Sequence, residues 1–273
     1  MPLPTEHPEA IARRVALEYA ALPGVEAVAM AGSRASERAD RCSDVDLYVY
    51  ADTLPPPQMR AEIARGTPRE MGNQFFEPGD EWIDEASGAH LDVMFRRLAF
   101  IEDELDRLLV RHEARVGYST ALWHAVRASV PLFDRNGWYA RLLERAQSPY
   151  PEPLVRAVVE KNQPLLRRNL SSFLHQVEKA VARHDRISVN HRVAAFLASA
   201  FDLLFALNRL PHPGEKRLLE IALASCPHRP PDLSSLVDGI LEAERSPDPD
   251  LVRRMDQLGE QIDALLREGG LLR

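Results

Sequence analysis

The sequence predicts an α+β protein, with a mixed sheet and helices in the first half followed by an all-α helical bundle. Three observations carry this. Between residues 25 and 134, short runs alternate apolar and polar residues as half-buried strands require. Beyond residue 153 the apolar residues recur at helical spacing instead. Between the two lies Gln147-Ser-Pro-Tyr-Pro-Glu-Pro153, three prolines in seven residues and the composition of a linker. The expected domains are therefore 1–147 and 153–273, and a chain of 273 residues suits about two domains.

Each element has its own justification. Pro8 to Ala21 reads as a helix, with proline suited to its start and Ile11, Val15 and Tyr19 four residues apart. Pro23-Gly24 ends it, and Val25 to Ala31 reads as a strand. From Asp44 to Tyr50, Val45, Leu47 and Val49 take one face, so Asp44, Asp46 and Tyr48 share the other. Leu54-Pro-Pro-Pro57 breaks the chain before a helix expected around Gln58–Arg65. Glu81–Asp84 and His90–Phe95 flank a hairpin connection at Glu85–Gly88. Helical spacing returns over Phe100–Leu109 and Thr120–Val130, and Pro131–Asp134 reads as one further strand. The bundle should comprise Leu154–His184, Ser188–Leu210, Gly214–Ser225, Leu233–Glu244 and Asp248–Arg267, with a kink or break at Pro164.

Composition narrows the class. A net charge of −7 disfavours nucleic acid as a partner, although a local basic cleft is compatible with it. Only three of the 34 basic residues are lysines, so a lone Arg carries little information. Cys42 and Cys226 have neither disulfide-framework nor metal-finger spacing. The start Met1-Pro-Leu-Pro-Thr lacks the basic and apolar regions of a signal peptide, and no uninterrupted apolar run reaches the ~20 residues of a spanning helix. A cytoplasmic protein is expected.

The chemistry-bearing pattern is Gly32-Ser33, nine intervening residues, then Ser43-Asp44-Val45-Asp46-Leu47. Gly32 permits close backbone approach and Ser33 supplies a hydroxyl, a combination suited to a phosphate tail. Asp44 and Asp46, two apart on a strand, point the same way and suit a hard divalent cation. Asp92 is a third acid, flanked by Leu91 and Val93 on a later strand. Two strands delivering three acids to one place is what a two-metal phosphoryl-transfer site needs.

This pattern resembles the nucleotidyltransferase superfamily of the DNA polymerase β type, which includes enzymes that adenylylate aminoglycoside and lincosamide antibiotics. Phe76–Asp84, His90–Arg96, Gly117–Thr120 and Phe205–Lys216 further resemble bacterial nucleotidyltransferase-like proteins of the DUF4037 type. The resemblance implies that Gly32 and Ser33 hold a triphosphate and that Asp44 and Asp46 bind Mg²⁺. Asp92 would be shared between metal binding and base catalysis. A two-metal site is implied, with ATP or another NTP as co-substrate. The expected reaction moves a nucleoside monophosphate, AMP from ATP foremost, onto a hydroxyl of a small-molecule acceptor, aminoglycoside- or lincosamide-like. Protein or tRNA-end modification is a second enzymatic option. The rival from another class is a nucleotide-binding regulatory or partner-binding protein.

Other residues stay open at this stage. Arg34 is a candidate phosphate ligand or an ordinary surface Arg, and Cys42 is better read as a small packed residue. His90 shares the Asp92 face and either lines the site or serves the structure. The acids Glu77, Asp80, Glu81 and Asp84 form a solvated rim or meet a cationic substrate. Trp82 reads as core, with stacking on a base or sugar as the alternative. Asp202 and Asn208 interrupt apolar helix and need partners. Lys216, near a helix expected to start at Gly214, is a candidate phosphate-binding ammonium or an exposed turn residue. His175, His184, His191 and His212 lack zinc spacing.

Overall fold

The computed structural model describes residues 8–32, 44–75 and 77–272. The chain is α+β, an N-terminal mixed sheet with helices followed by a helical region. It divides into two compact units, Met1–Leu105 with Ala125–Ser148, and Asp106–His124 with Pro149–Arg273.

In the first unit, α1 (Pro8–Ala20) leads to β1 (Val25–Met30) and β2 (Val45–Ala51). A single turn, α2 (Pro57–Arg60), precedes β3 (Gly66–Asn73), β4 (Gly79–Asp84) and β5 (His90–Arg96). Then follow α3 (Leu98–Leu109), α4 (Ala121–Ala128), β6 (Val130–Asp134) and α5 (Trp138–Ala146), the unit boundary falling within both α3 and α4. Among the described residues the sheet has six strands in the order β3-β4-β5-β2-β1-β6. The β2–β5 pair is parallel and the remaining pairs are antiparallel.

The helix expected over Gln58–Arg65 is cut to one turn, Pro57–Arg60; a turn follows, and from Gly66 the chain pairs as strand β3, which the sequence reading did not include. That strand escapes a hydrophobic reading because it is polar and lies at the sheet edge, where Pro68 is tolerated and little is buried.

One face of the sheet is closed by α1. Ile11, Val15 and Tyr19 pack with Val28, Leu47, Val49, Leu91, Val93 and Phe95, all at most 1% exposed. Full burial of such side chains is worth about 1.5–3 kcal/mol each. Toward β1 and β6 the chain also packs α5, whose Tyr139 stands 5.1 Å from the Tyr50 ring. Tyr48 and Tyr50 are thus buried like the other face of β2.

The second unit builds its core from α6 (Glu152–Arg167), α7 (Phe173–Ala182), α8 (Arg186–Leu207), α9 (Leu218–Ser225), α10 (Leu233–Glu244) and α11 (Pro249–Glu268). Pro164 does not break the chain: α6 continues to Arg167, and the interruption comes at 168–172, where Ser172 caps α7 through the His175 backbone N–H. Helix α8 is long and apolar enough to cross a membrane by length and composition. Of its most apolar stretch, 61% is buried inside the protein, as in a core helix. Helix α9 begins at Leu218 rather than Gly214, because Arg217 at its cap is left-handed with φ 55°.

Candidate functional site

The acids of the first unit are placed by strand register. In the parallel ladder Asp46 stands opposite Asp92, and Val45 opposite Leu91. In the antiparallel β4–β5 ladder Glu81 stands opposite Asp92. Because the pleat puts laterally paired residues on one face, Asp46, Asp92 and Glu81 form a row across three adjacent strands. Their neighbours Leu47, Leu91 and Trp82 point into the core against α1 instead.

The row is electrostatically crowded. Burial, then the charges of Asp46 and Glu81, raise the Asp92 carboxyl to about 6, with Asp44 adding and His90 opposing. The imidazole of His90 places Nδ1 2.9 Å from Asp44 Oδ1 and Nε2 3.9 Å from Glu81 Oε2.

Gly32 is joined to the same place. Its φ is +67°, and a β-carbon added there would lie 1.7 Å from Asp46 Oδ2 and 2.7 Å from its Cγ. The backbone also closes on this point, with Ala31 N donating to the Asp46 carbonyl at 2.9 Å. Both ends of the Gly-Ser…Asp-x-Asp pattern therefore meet in space, which explains why this position demands glycine. Ser33, Arg34 and Cys42 lie outside the described residues.

The remaining hairpin acids do not form a solvated rim. Glu77 accepts two hydrogen bonds of 2.7 Å from Arg96, whose guanidinium lies 3.8 Å from the Tyr48 ring centroid. Asp80 is fully buried, accepts from Gly72 N at 2.7 Å and pairs with Arg60 at 3.4 Å. Asp84 accepts from Arg14 at 2.9 Å and from the Ser87 hydroxyl at 2.6 Å. Glu81 alone among the four stands in the row with Asp92. Trp82 is core, 1% exposed and 6.5 Å from the Tyr19 ring.

In the second unit Lys216 is exposed in the turn before α9. Asn208 serves the fold: its amide donates to the Leu204 and His228 carbonyls, and its Oδ1 accepts from His228 N. Asp202 is 2% exposed and accepts from Ser119 N (3.1 Å), Ser119 Oγ (2.6 Å) and Asn162 Nδ2 (3.2 Å). Burial still raises its carboxyl to about 7, against the lowering pull of Ser119, Arg107 and Asn162. Thr120 Oγ1 accepts from His212 N at 2.8 Å, and Tyr118 meets the His212 ring edge-on at 4.8 Å. The segments 117–120 and 205–216, both singled out in the sequence, thus meet at the buried His212. Two surface cavities of about 240 and 580 Å³ share Arg186 and Arg245 and contain none of the sequence-predicted site residues.

Among the described residues, no three His, Cys, Asp or Glu side chains are gathered closely enough to hold a metal ion as they stand. The donor chemistry nevertheless suits a hard cation: the acids offer oxygens only, and Asp92 shows their surplus negative charge.

No family model matches the chain, and no curated protein matches it. Among solved structures, it is similar to a nucleotidyltransferase-like protein from Exiguobacterium sibiricum 255-15. That alignment covers 95% of this chain and 74% of the other, at 16% identity and a TM-score of 0.45.

Proposed function

We propose that the protein is a Mg²⁺-dependent nucleotidyltransferase that moves a nucleoside monophosphate, AMP from ATP, onto a hydroxyl of a small-molecule acceptor. The observation that carries this is the pairing of Asp46 with Asp92 in the β2–β5 ladder, with Gly32 packed against the Asp46 carboxylate. The motif resemblance to the polymerase β-type superfamily, and to its DUF4037-type members, supports the same reading.

Asp44, Asp46 and Asp92 would hold Mg²⁺, which when bound neutralises triphosphate charge. Gly32 offers backbone without a side chain, so a phosphate tail can approach the acids closely. Ser33 and Arg34 are the adjacent phosphate donors in the sequence. Asp92, with proton affinity near neutrality, is the group suited to take the acceptor hydroxyl's proton.

The rival reading is a nucleotide-binding regulator without turnover, favoured by the absence of a gathered metal cluster among the described residues. The test is incubation with Mg²⁺, labelled ATP and a panel of aminoglycosides, lincosamides and tRNA. Acceptor-dependent pyrophosphate release, lost in Asp46→Asn and Asp92→Asn, is the expected result. Nucleotide retention without release across the panel would establish the regulator instead.

A further inference from the structure

We propose that Tyr48 presents its hydroxyl to the acceptor molecule and fixes that molecule beside the acidic row. This rests on the nucleotidyltransferase reading of the same site.

Alternation along β2 puts Tyr48 on the face of Asp46, two residues further along the strand at about 6–7 Å. Its ring has little freedom. The Arg96 guanidinium lies 3.8 Å from the ring centroid, and the Tyr50 ring meets it edge-on at 6.4 Å. Arg96 is in turn held by two hydrogen bonds of 2.7 Å to Glu77. The residue as a whole is 8% exposed. The Tyr50 hydroxyl is enclosed by protein, whereas that of Tyr48 is not among the enclosed polar atoms and bonds to no described residue. A rigid ring thus brings one uncommitted donor and acceptor to the surface on the face of Asp46.

The side of the row on which Tyr48 stands decides what it meets. Ala31 N donates to the Asp46 carbonyl and Gly32 follows, so Gly32 lies toward the start of β2 and Tyr48 toward its end. With the phosphate tail at Gly32, pyrophosphate leaves on that side. In phosphoryl transfer the attacking oxygen stands roughly in line with the leaving one, across the phosphorus. The acceptor therefore approaches from the Tyr48 side, where a hydroxyl or amine near its reacting hydroxyl bonds to Tyr48 Oη.

The test compares wild type with Tyr48→Phe on the panel acceptor that gives the fastest pyrophosphate release. Kinetic constants for the acceptor and for ATP are measured separately, beside thermal unfolding. Removing a hydroxyl that bonds to no described residue should leave the melting temperature unchanged. For the acceptor, kcat/KM should fall about 10-fold, on the order of one hydrogen bond, with the KM for ATP unchanged. Wild-type acceptor kinetics in Tyr48→Phe overturn the inference and leave the transferase reading intact. So does a rise in the KM for ATP that matches the acceptor's loss, which assigns the hydroxyl to the nucleotide. A lowered melting temperature also overturns it, because the hydroxyl then serves the fold. Wild-type protein that releases no pyrophosphate with any acceptor removes the transferase reading and the inference with it.

Discussion

Gly32 and Asp46 compete for one small volume: the β-carbon that glycine lacks would fall 1.7 Å from Asp46 Oδ2, with φ at +67°. The glycine two residues past β1 and the acid on β2 are thereby a single unit, and neither can change without the other moving.

Replacing Gly32 by Ala therefore tests the site at its tightest point. The left-handed backbone alone costs roughly 1 kcal/mol or more in an alanine. The larger effect is displacement of the Asp46 carboxylate, and pyrophosphate release should fall at least 100-fold. Unfolding curves set beside the release assay check this, and a variant that retains wild-type turnover would refute the arrangement.

The crowding of Asp92 predicts a pH-dependent stability. Its folded pKa, about 6, lies above the ordinary 3.8, so between these values the folded protein binds more protons than the unfolded chain. Its contribution is fully present below about pH 4 and lost as pH rises through about 6. Asp92→Asn removes that loss, and in metal-free buffer it should be more stable than wild type above pH 7 by roughly 1–2 kcal/mol after allowance for solvent screening. Denaturant titrations at acidic and alkaline pH measure the crossover.

Asp202 has the same sign and a wider window. With its carboxyl raised to about 7 by burial, stability drains from about pH 4 to about pH 7. His212, lowered to about 4 by burial, acts oppositely between about 4 and 6.5, so the net curve conceals both. The difference between wild type and Asp202→Asn isolates the acid. Relative to the variant, wild type should lose on the order of a few kcal/mol across that range. Hydrogen exchange at Ser119, whose N–H the carboxylate accepts, reads the same change locally.

Arg60 and Asp80 are a buried pair, 5% and 0% exposed, with the guanidinium also 4.1 Å from the Phe95 ring centroid. Arg60→Met strands the Asp80 charge and should cost about 3–5 kcal/mol. The double variant Arg60→Met/Asp80→Leu should recover much of this. A double-mutant cycle by chemical denaturation gives the coupling.

Periodicity made much of this molecule legible in advance. Val45, Leu47 and Val49 announced β2, Leu91, Val93 and Phe95 announced β5, and Leu233–Glu244 was readable to its last residue. What periodicity could not show was pairing. Nothing local in Glu81 distinguishes it from Asp80 or Asp84, and only the register opposite Asp92 does so. Strand β3 was hidden by its polarity, and α5 went unread although its Tyr139 is fully buried. The stretch Asp106–His124 reads as ordinary helix and loop, yet it belongs with the second unit because Ser119 and Gly117 bond to Asp202 and Asn162 far along the chain. Such long-range polar partners leave no trace in local composition.

The parallel pairing of β2 with β5 obliges the chain to leave after Ala51 and cross back to the opposite end of the ladder before it enters β5 at His90. For protein engineering that excursion is a cassette. It carries Glu81 and the edge of the sheet, whereas Asp46 and Asp92 sit on the strands that bracket it and Asp44 directly precedes the first of them. A library confined to residues 52–89 would vary the flank of the acidic row and spare the three acids, a natural starting point for changing what the protein accepts.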